Sequence, residues 1–298
     1  MSAVETRPAR SAGDSALFDF PCDLCGSNDA AEIPEARHYT GGHPLHVCRG
    51  CGFVYVRRRR SAGAIAASWS DDLFGTKYTA RIPAIIARLT FVAEMVRKEI
   101  GFEGRSVCDI GAGEGTFLDL ARGMGADGFG VEPSAANGKL MAGLGIEHFT
   151  GTIEDYAGTG ATRRFDVATI LWTLENCQSC LGMLKAARAL LKPDGHVVVA
   201  TGSRILVPFK KPLHYYLGPN APDTHAFRFS ANALTRALAV AGFEVAHVNR
   251  YIDHDVLCMI AAPARAPSAA PLPADSSAAV LDFFRRWHAD TVAHYADA

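Results

Sequence analysis

Apolar and polar positions alternate along the chain with two different periods. Ile85, Ile86, Leu89, Val92, Val96 and Ile100 recur near helical spacing, which predicts a helix over 81–100 that Gly101 stops. Short, nearly continuous apolar runs follow at Ser106–Ile110, Gly128–Glu132, Ile146–Phe149, Phe165–Leu171 and His196–Ala200. Runs of this length read as strands covered on both faces. Helices are predicted between them, from Thr116 to Gly123, from the capping residue Ser134 to Leu144, and over Gln178–Leu191. Pro193-Asp194-Gly195 reads as a turn into the last strand. Strand and helix in alternation predict an α/β, doubly wound, Rossmann-like parallel sheet.

The end of the chain breaks that order. Ser230 caps a helix over Ala231–Ala241, stopped by Gly242. Two strand-like runs then flank Asp253-His254-Asp255, Phe243–Tyr251 and Val256–Ala261. The turn is too short for a helical crossover, so the runs predict an antiparallel last hairpin. Pro263–Ser276 is rich in proline and alanine and reads as a linker. A last helix, Ala278–Tyr295, aligns Val280, Phe284, Trp287, Thr291 and His294 or Tyr295 on one face, to be covered by the chain itself or by a second copy in a homodimer. The expected organisation is a disordered segment 1–17, a small cysteine module 18–60, an α/β domain 61–262, a linker 263–276 and a helix 277–298. Within it, 57–70 is read as a connector.

Composition narrows the picture. The 298 residues are 49% hydrophobic with a formal net charge of −1, as for a soluble globular protein near neutrality. That balance argues against nucleic acid as a partner. Residues 1–14 carry no apolar leader, and no run approaches the ~18 apolar residues of a membrane span. A cytoplasmic location and no membrane partner are expected.

The densest chemistry lies in Ser106-Val107-Cys108-Asp109-Ile110-Gly111-Ala112-Gly113-Glu114-Gly115-Thr116. A strand runs into three alternate glycines, which allow tight turning and close approach of backbone to a ligand. Glu132 closes the next strand, where a carboxylate can accept bonds from two ribose hydroxyls. The dinucleotide fingerprint G-x-G-x-x-G is not met, because Thr116 stands where its last glycine belongs. The plainer reading of Asp109 and Glu132 is polar residues at strand ends.

With Leu191-Lys192-Pro193-Asp194-Gly195 and the terminal hairpin, residues ~78–261 resemble the class I S-adenosylmethionine-dependent methyltransferases. The resemblance implies a seven-stranded sheet with a reversed last hairpin. It also implies that Asp109, Gly111, Ala112 and Gly113 line the methionine end, that Glu132 and Pro133 hold the ribose, and that Ile153 and Glu154 flank the adenine. Leu171 would lie beneath the methyl donor and Tyr78 over the methionine end. Many relatives carry histidine where Trp172 and Asn176 stand here.

Cys22-x-x-Cys25-Gly26 and Cys48-x-x-Cys51-Gly52 form two knuckles 22 residues apart. Four thiolates at that spacing close tetrahedrally around Zn2+, a full shell and therefore a structural metal. Iron or a free dithiol pair are the alternatives. His38, His43 and His46 read as loop residues. Cys177 and Cys180 form a third, partnerless pair at a loop and helix start, and Cys108 and Cys258 read as core. Arg57-Arg58-Arg59-Arg60 reads as a solvated surface, with the phosphates of a nucleotide-linked or nucleic-acid substrate as the alternative ligand.

The insertion Val207–Phe229 follows the fifth strand and faces the ligand end of such a sheet. His225 is the candidate general base, or else a loop anchor. Trp172, His214, Tyr215 and Tyr216 are candidate substrate contacts, or else loop packing. Knuckles followed by this domain resemble, over ~20–261, the deoxysugar C-methyltransferases of bacterial saccharide pathways. Only His225 matches that family's Tyr-x-Glu-His segment. The expected reaction is methyl transfer to a small polar acceptor, a saccharide or nucleotide-sugar hydroxyl or carbon. An RNA methyltransferase and a non-catalytic partner protein are the alternatives.

Overall fold

Phe165–Leu171 and Leu191–Thr201, whose buried stretch is Val197–Thr201, lie side by side and parallel at the centre of a seven-stranded sheet. The computed structural model describes residues 16–70, 82–207, 211–218, 225–249, 256–266 and 270–295. The expectations of disorder in 1–15, of a turn at 253–255 and of a donor contact by Tyr78 lie outside them. In chain order the cysteine module supplies β1 (Ala30–Glu32), β2 (His46–Cys48) and β3 (Val54–Tyr55). Next come α1 (Ala62–Ser70) and α2 (Ile82–Glu99). The α/β region supplies β4 (Ser106–Ile110), α3 (Thr116–Arg122), β5 (Asp127–Glu132), α4 (Ala135–Gly143), β6 (Glu147–Thr150), α5 (Ile153–Gly158), β7 (Phe165–Leu171), α6 (Cys180–Leu190) and β8 (Leu191–Thr201). The rest is α7 (Leu213–Tyr216), β9 (Phe227–Arg228), α8 (Ala231–Val240), β10 (Phe243–Val248), β11 (Leu257–Pro263) and α9 (Ser277–Tyr295).

The sheet order is β10-β11-β8-β7-β4-β5-β6. Strands β4 to β8 are parallel, and β11 pairs antiparallel with both β8 and β10, so the reversed hairpin is present. Alternate residues of β8 feed two cores. Val197 and Val199 join one, and Val198 and Ala200 the other. Each buried valine stabilises the fold by about 1.5–3 kcal/mol relative to exposure. One core packs α2 and α3; the other packs α6, α8, α9 and the cysteine module. The module is therefore part of one face of the domain.

Three local expectations change. The 57–70 connector contains a helix, because Ala62-Gly63-Ala64-Ile65-Ala66-Ala67 favours one and Ser61 Oγ accepts the Ala64 N–H at 3.2 Å. Pro193-Asp194-Gly195 lies inside β8, where the ladder shifts register between Leu191 and His196. The stripe on α9 is not offered to a second copy. Val280, Phe284, Trp287 and Thr291 are buried within the chain, and Tyr295 is exposed. Among the described residues no helix is long and apolar enough to cross a membrane.

Candidate functional site

Five parallel strands end at the same edge, so the segments after β4, β5, β6, β7 and β8 share one cleft. The β4–α3 loop turns at Gly111 with φ 76°, and a Cβ there would lie 2.4 Å from Thr173 Oγ1. Gly113, at φ 53°, has open space where its Cβ would point, so this stretch of backbone is bare toward the cleft. Glu132 ends β5 almost fully buried. One oxygen accepts the Gly113 N–H at 2.9 Å and the other the Ser134 N–H at 2.9 Å. Asp109 is buried beneath the loop. Burial raises its pKa to about 7, against a 2.6 Å bond from Thr169 Oγ1, and the Glu132 charge adds to the rise. Ala112, Ile153 and Leu171 are buried, Pro133 is half-buried and Glu154 is exposed. These candidates ring one side of the cleft, at the ends of β4 to β7.

A second group, in the segments after β7 and β8, is built around two strained residues. Trp172 and His225 both hold left-handed backbone, at φ 54° and 53°. Such conformations cost about 1–3 kcal/mol each in a non-glycine residue and persist where surroundings enforce them. Asn176 enforces both. Its Nδ2 donates to the Trp172 carbonyl at 2.9 Å, and its Oδ1 accepts the His225 N–H at 2.7 Å. His225 Nδ1 meets Ser203 Oγ, and its carbonyl accepts the Arg228 guanidinium. Burial drives the His225 pKa down to about 3, and the Arg228 and Lys211 charges push the same way, so the ring is neutral. The Arg88 guanidinium lies 4.8 Å over the Trp172 ring. Glu175 is fully buried. Its Oε1 accepts the Gly202 N–H at 3.2 Å, and burial raises its pKa to about 7 against the opposing hydrogen bonds of Thr201 and Gly202.

Other candidates lie at the edge of this group. Tyr216 packs against Trp287, 4.7 Å away on α9, with the Arg228 guanidinium 5.7 Å over its ring, and Tyr215 is 68% exposed. His214 is half-buried, its ring 4.3 Å from that of Tyr215. The structure in turn adds Asn176, Glu175, Ser203 and Arg228. The first two stand just after Trp172 in the sequence, Asn176 at a place where many relatives carry histidine; the others have no sequence signal. The arginine run is a solvated face only in part: Arg58 is exposed and Arg57 and Arg60 are half-buried, but Arg59 points inward. Arg58–Arg59 pairs with Phe18–Asp19, and Arg59 is buried between the rings of Phe20 and Phe227, at 4.6 and 4.8 Å.

A second constellation lies in the module. The sulfurs of Cys22, Cys25, Cys48 and Cys51 all fall within 4.8 Å of one another. Cys22–Cys51 and Cys25–Cys48 are 3.6 and 3.5 Å apart, too long for disulfides. A tetrahedron with metal–sulfur bonds of about 2.3 Å has edges of about 3.8 Å, so the donor set fits zinc. Each knuckle closes alike: Gly26 and Gly52, at φ 71° and 72°, donate to the carbonyls of Cys22 and Cys48 at 2.8 and 2.9 Å.

Comparison with known proteins bears on the cleft. The profile of a family described as "Methyltransferase domain" matches residues 78–248. A protein of Azorhizobium caulinodans named ubiquinone biosynthesis O-methyltransferase is 29% identical over 180 residues, 54% of this chain and 70% of its own length. A protein of the same name from Vibrio campbellii is 35% identical over 126 residues, 39% of this chain and 51% of its own. The chain thus spans about half to seven-tenths of these curated relatives. Among solved structures, the Burkholderia thailandensis 1,6-didemethyltoxoflavin N1-methyltransferase, bound to 1,6-didemethyltoxoflavin and S-adenosylhomocysteine, matches with a TM-score of 0.53 at 17% identity. The match covers 71% of this chain and 96% of that one, and speaks to the fold. The cleft can take such a nucleoside: Gly113 leaves open space beside its backbone, and each Glu132 oxygen keeps a lone pair beyond the backbone N–H it already accepts.

Proposed function

The chain belongs to the class I S-adenosylmethionine-dependent methyltransferases, and from that premise we propose that it methylates an acidic hydroxyl, such as a phenol, on a small acceptor beside Trp172 and His225. The observation that carries the reading is the neutral His225 imidazole pinned next to Trp172 by Asn176. The methyl donor supplies an electrophilic methyl group, so the chain's task is alignment, exclusion of water and removal of one proton. Glu132 would take the ribose hydroxyls, Ala112 and Gly113 the methionine end, Ile153 and Glu154 the adenine. Leu171 would close the floor, and Asp109 steadies the loop from below.

His225 then receives the acceptor's proton at Nε2. For that its Nδ1 must carry hydrogen and donate to Ser203 Oγ, the contact that orients the ring. Burial weakens His225 as a base, and a phenol or enol, which gives up its proton more readily than a sugar hydroxyl, asks less of it. This reading agrees with the O-methylation in the names of the relatives. The saccharide acceptor rests on the arrangement of knuckles and domain. Zinc in the four-cysteine site has a structural part only, since four thiolates complete its shell.

The reading is tested by mass spectrometry of matched phenolic, sugar and amine acceptor pools incubated with protein and S-adenosylmethionine. Gain of one methylene mass among the phenols is expected. Sugars or amines modified while phenols stay inert would overturn the reading. His225→Ala is expected to keep donor affinity and to lower turnover about 100-fold or more; full turnover would remove His225 as the base.

A further inference from the structure

We propose that Asp23 is a positioning residue that couples the four-cysteine site to the acceptor side of the cleft. The inference rests on reading 172–176, Ser203 and 225–228 as that side. Asp23 lies inside the first knuckle, between two of the ligands. Its carboxylate reaches across the chain to the start of α6. It accepts Ser179 Oγ at 3.0 and 3.2 Å, Cys180 Sγ at 2.9 Å and the Leu181 N–H at 2.9 Å. Ser179 is itself the cap of α6, accepting the Gly182 N–H at 3.0 Å. A carboxylate here also faces the positive end of an eleven-residue helix.

This helix start directly follows the turn that carries Glu175 and Asn176. The module holds the other arm of the site as well. Strand β9 pairs with β3, Phe227 opposite Tyr55 and Arg228 opposite Val54, and the Val56 N–H donates to the Ala226 carbonyl at 2.8 Å. His225 stands two residues before that strand. The module therefore grips both chain segments that Asn176 joins, the Trp172 arm through Asp23 and the His225 arm through β3.

Position of Asp23 is set by the cysteines on either side of it. A metal holding all four sulfurs fixes the first knuckle against the second, and through Asp23 it fixes the start of α6. Without that tie the knuckle moves as a free loop, and the turn bearing Asn176 loses its anchor. The staple on Trp172 and His225 then relaxes, and their strained backbone reverts to ordinary conformations. The nucleoside side is held differently, by bonds of Glu132 to its own neighbouring loops, and is left in place.

Hydrogen exchange on the full chain tests this without knowledge of the acceptor. Chelation of the zinc-loaded protein should raise exchange in 174–181 and 225–228 about tenfold or more, the loss expected for one charge-assisted bond, and leave 109–132 as it was. Asp23→Ala, shown by elemental analysis to retain zinc, should reproduce that pattern, and Asp23→Asn should recover part of it. Donor affinity should stay within about twofold in both variants, while KM for any acceptor identified rises. Unchanged exchange in zinc-loaded Asp23→Ala would overturn the proposal, as would a rise that extends equally to 109–132. If exchange behaves as expected but His225→Ala turns over normally, the acceptor reading fails and the coupling stands.

Discussion

The two sides of the cleft are assembled over different lengths of chain. Glu132 finds its partners 19 and 2 residues away, at Gly113 and Ser134. In the second group, Asn176 binds His225 at a separation of 49 residues, and Asp23 binds Leu181 at 158. A site made of neighbouring turns takes shape as soon as its strands pair. A site made of distant parts needs every part in place, and opens locally when one is withdrawn. The methyl-donor side should therefore be robust and the methyl-acceptor side conditional on the cysteine module.

The largest blow to this contrast comes at the metal. Cys25→Ser removes one of four ligands, and structural zinc contributes on the order of 10 kcal/mol to such modules. The wild type should carry one metal per chain by elemental analysis. The variant should lose it and melt in two steps, the module first, with donor binding retained below the second. Loss of donor binding together with the metal would show that the two sides are not separable.

A smaller effect sharpens the contrast from the other side. Glu132→Ala should weaken S-adenosylmethionine binding by about 2 kcal/mol in calorimetry, from lost charge-assisted bonds, and leave exchange at 225–228 unaltered. Unchanged affinity would remove Glu132 from the donor site.

Protons give a finer test. Asp109 and Glu175 are both raised to about 7 by burial, above ordinary carboxylate values of about 4. Between those values the unfolded chain gives up protons that the folded chain keeps. Their contribution to stability is therefore complete below about pH 4 and is lost as pH rises through about 7. A cationic donor favours ionised Asp109, so binding near pH 7 should release part of a proton. Calorimetry in two buffers of different ionisation enthalpy measures it, and Asp109→Asn should abolish it. Equal release in the variant would assign the proton elsewhere.

The smallest expected effect is at Arg58, exposed and 3.9 Å from Asp19. Arg58→Ala should change stability by no more than about 0.5 kcal/mol. RNA binding that weakens steeply with salt and is lost in this variant would revive a nucleic-acid reading.

What could be read from the sequence follows the same division. The strand–loop–helix order around Gly111 and Glu132 is local, and period and glycine spacing encode it. The hairpin was legible because the segment between Val248 and Leu257 is too short for a crossover helix. The cysteine spacing likewise states its own geometry. By contrast, nothing near Asp23 in the sequence points to Ser179, and no period marks a two-residue strand such as β9. Arg59 misled for a related reason. Its neighbours in sequence are three arginines, but its neighbours in space are Phe20 and Phe227. Tyr216 and Trp287 show the same limit, since a ring's partner decides whether it binds or packs.

The buried arginine has a practical corollary. On paper, four successive arginines are the most inviting target for trypsin in the chain. Folded, their backbone is pinned: the Phe20 N–H donates to the Arg57 carbonyl at 3.0 Å, Arg58 and Arg59 sit in a ladder, and the Arg59 head is clamped between two rings. A protease needs an extended, free segment, so the run is a cleavage site that the fold keeps locked. Nicking there becomes a clock for how often the module lifts from the body of the protein, readable on a gel.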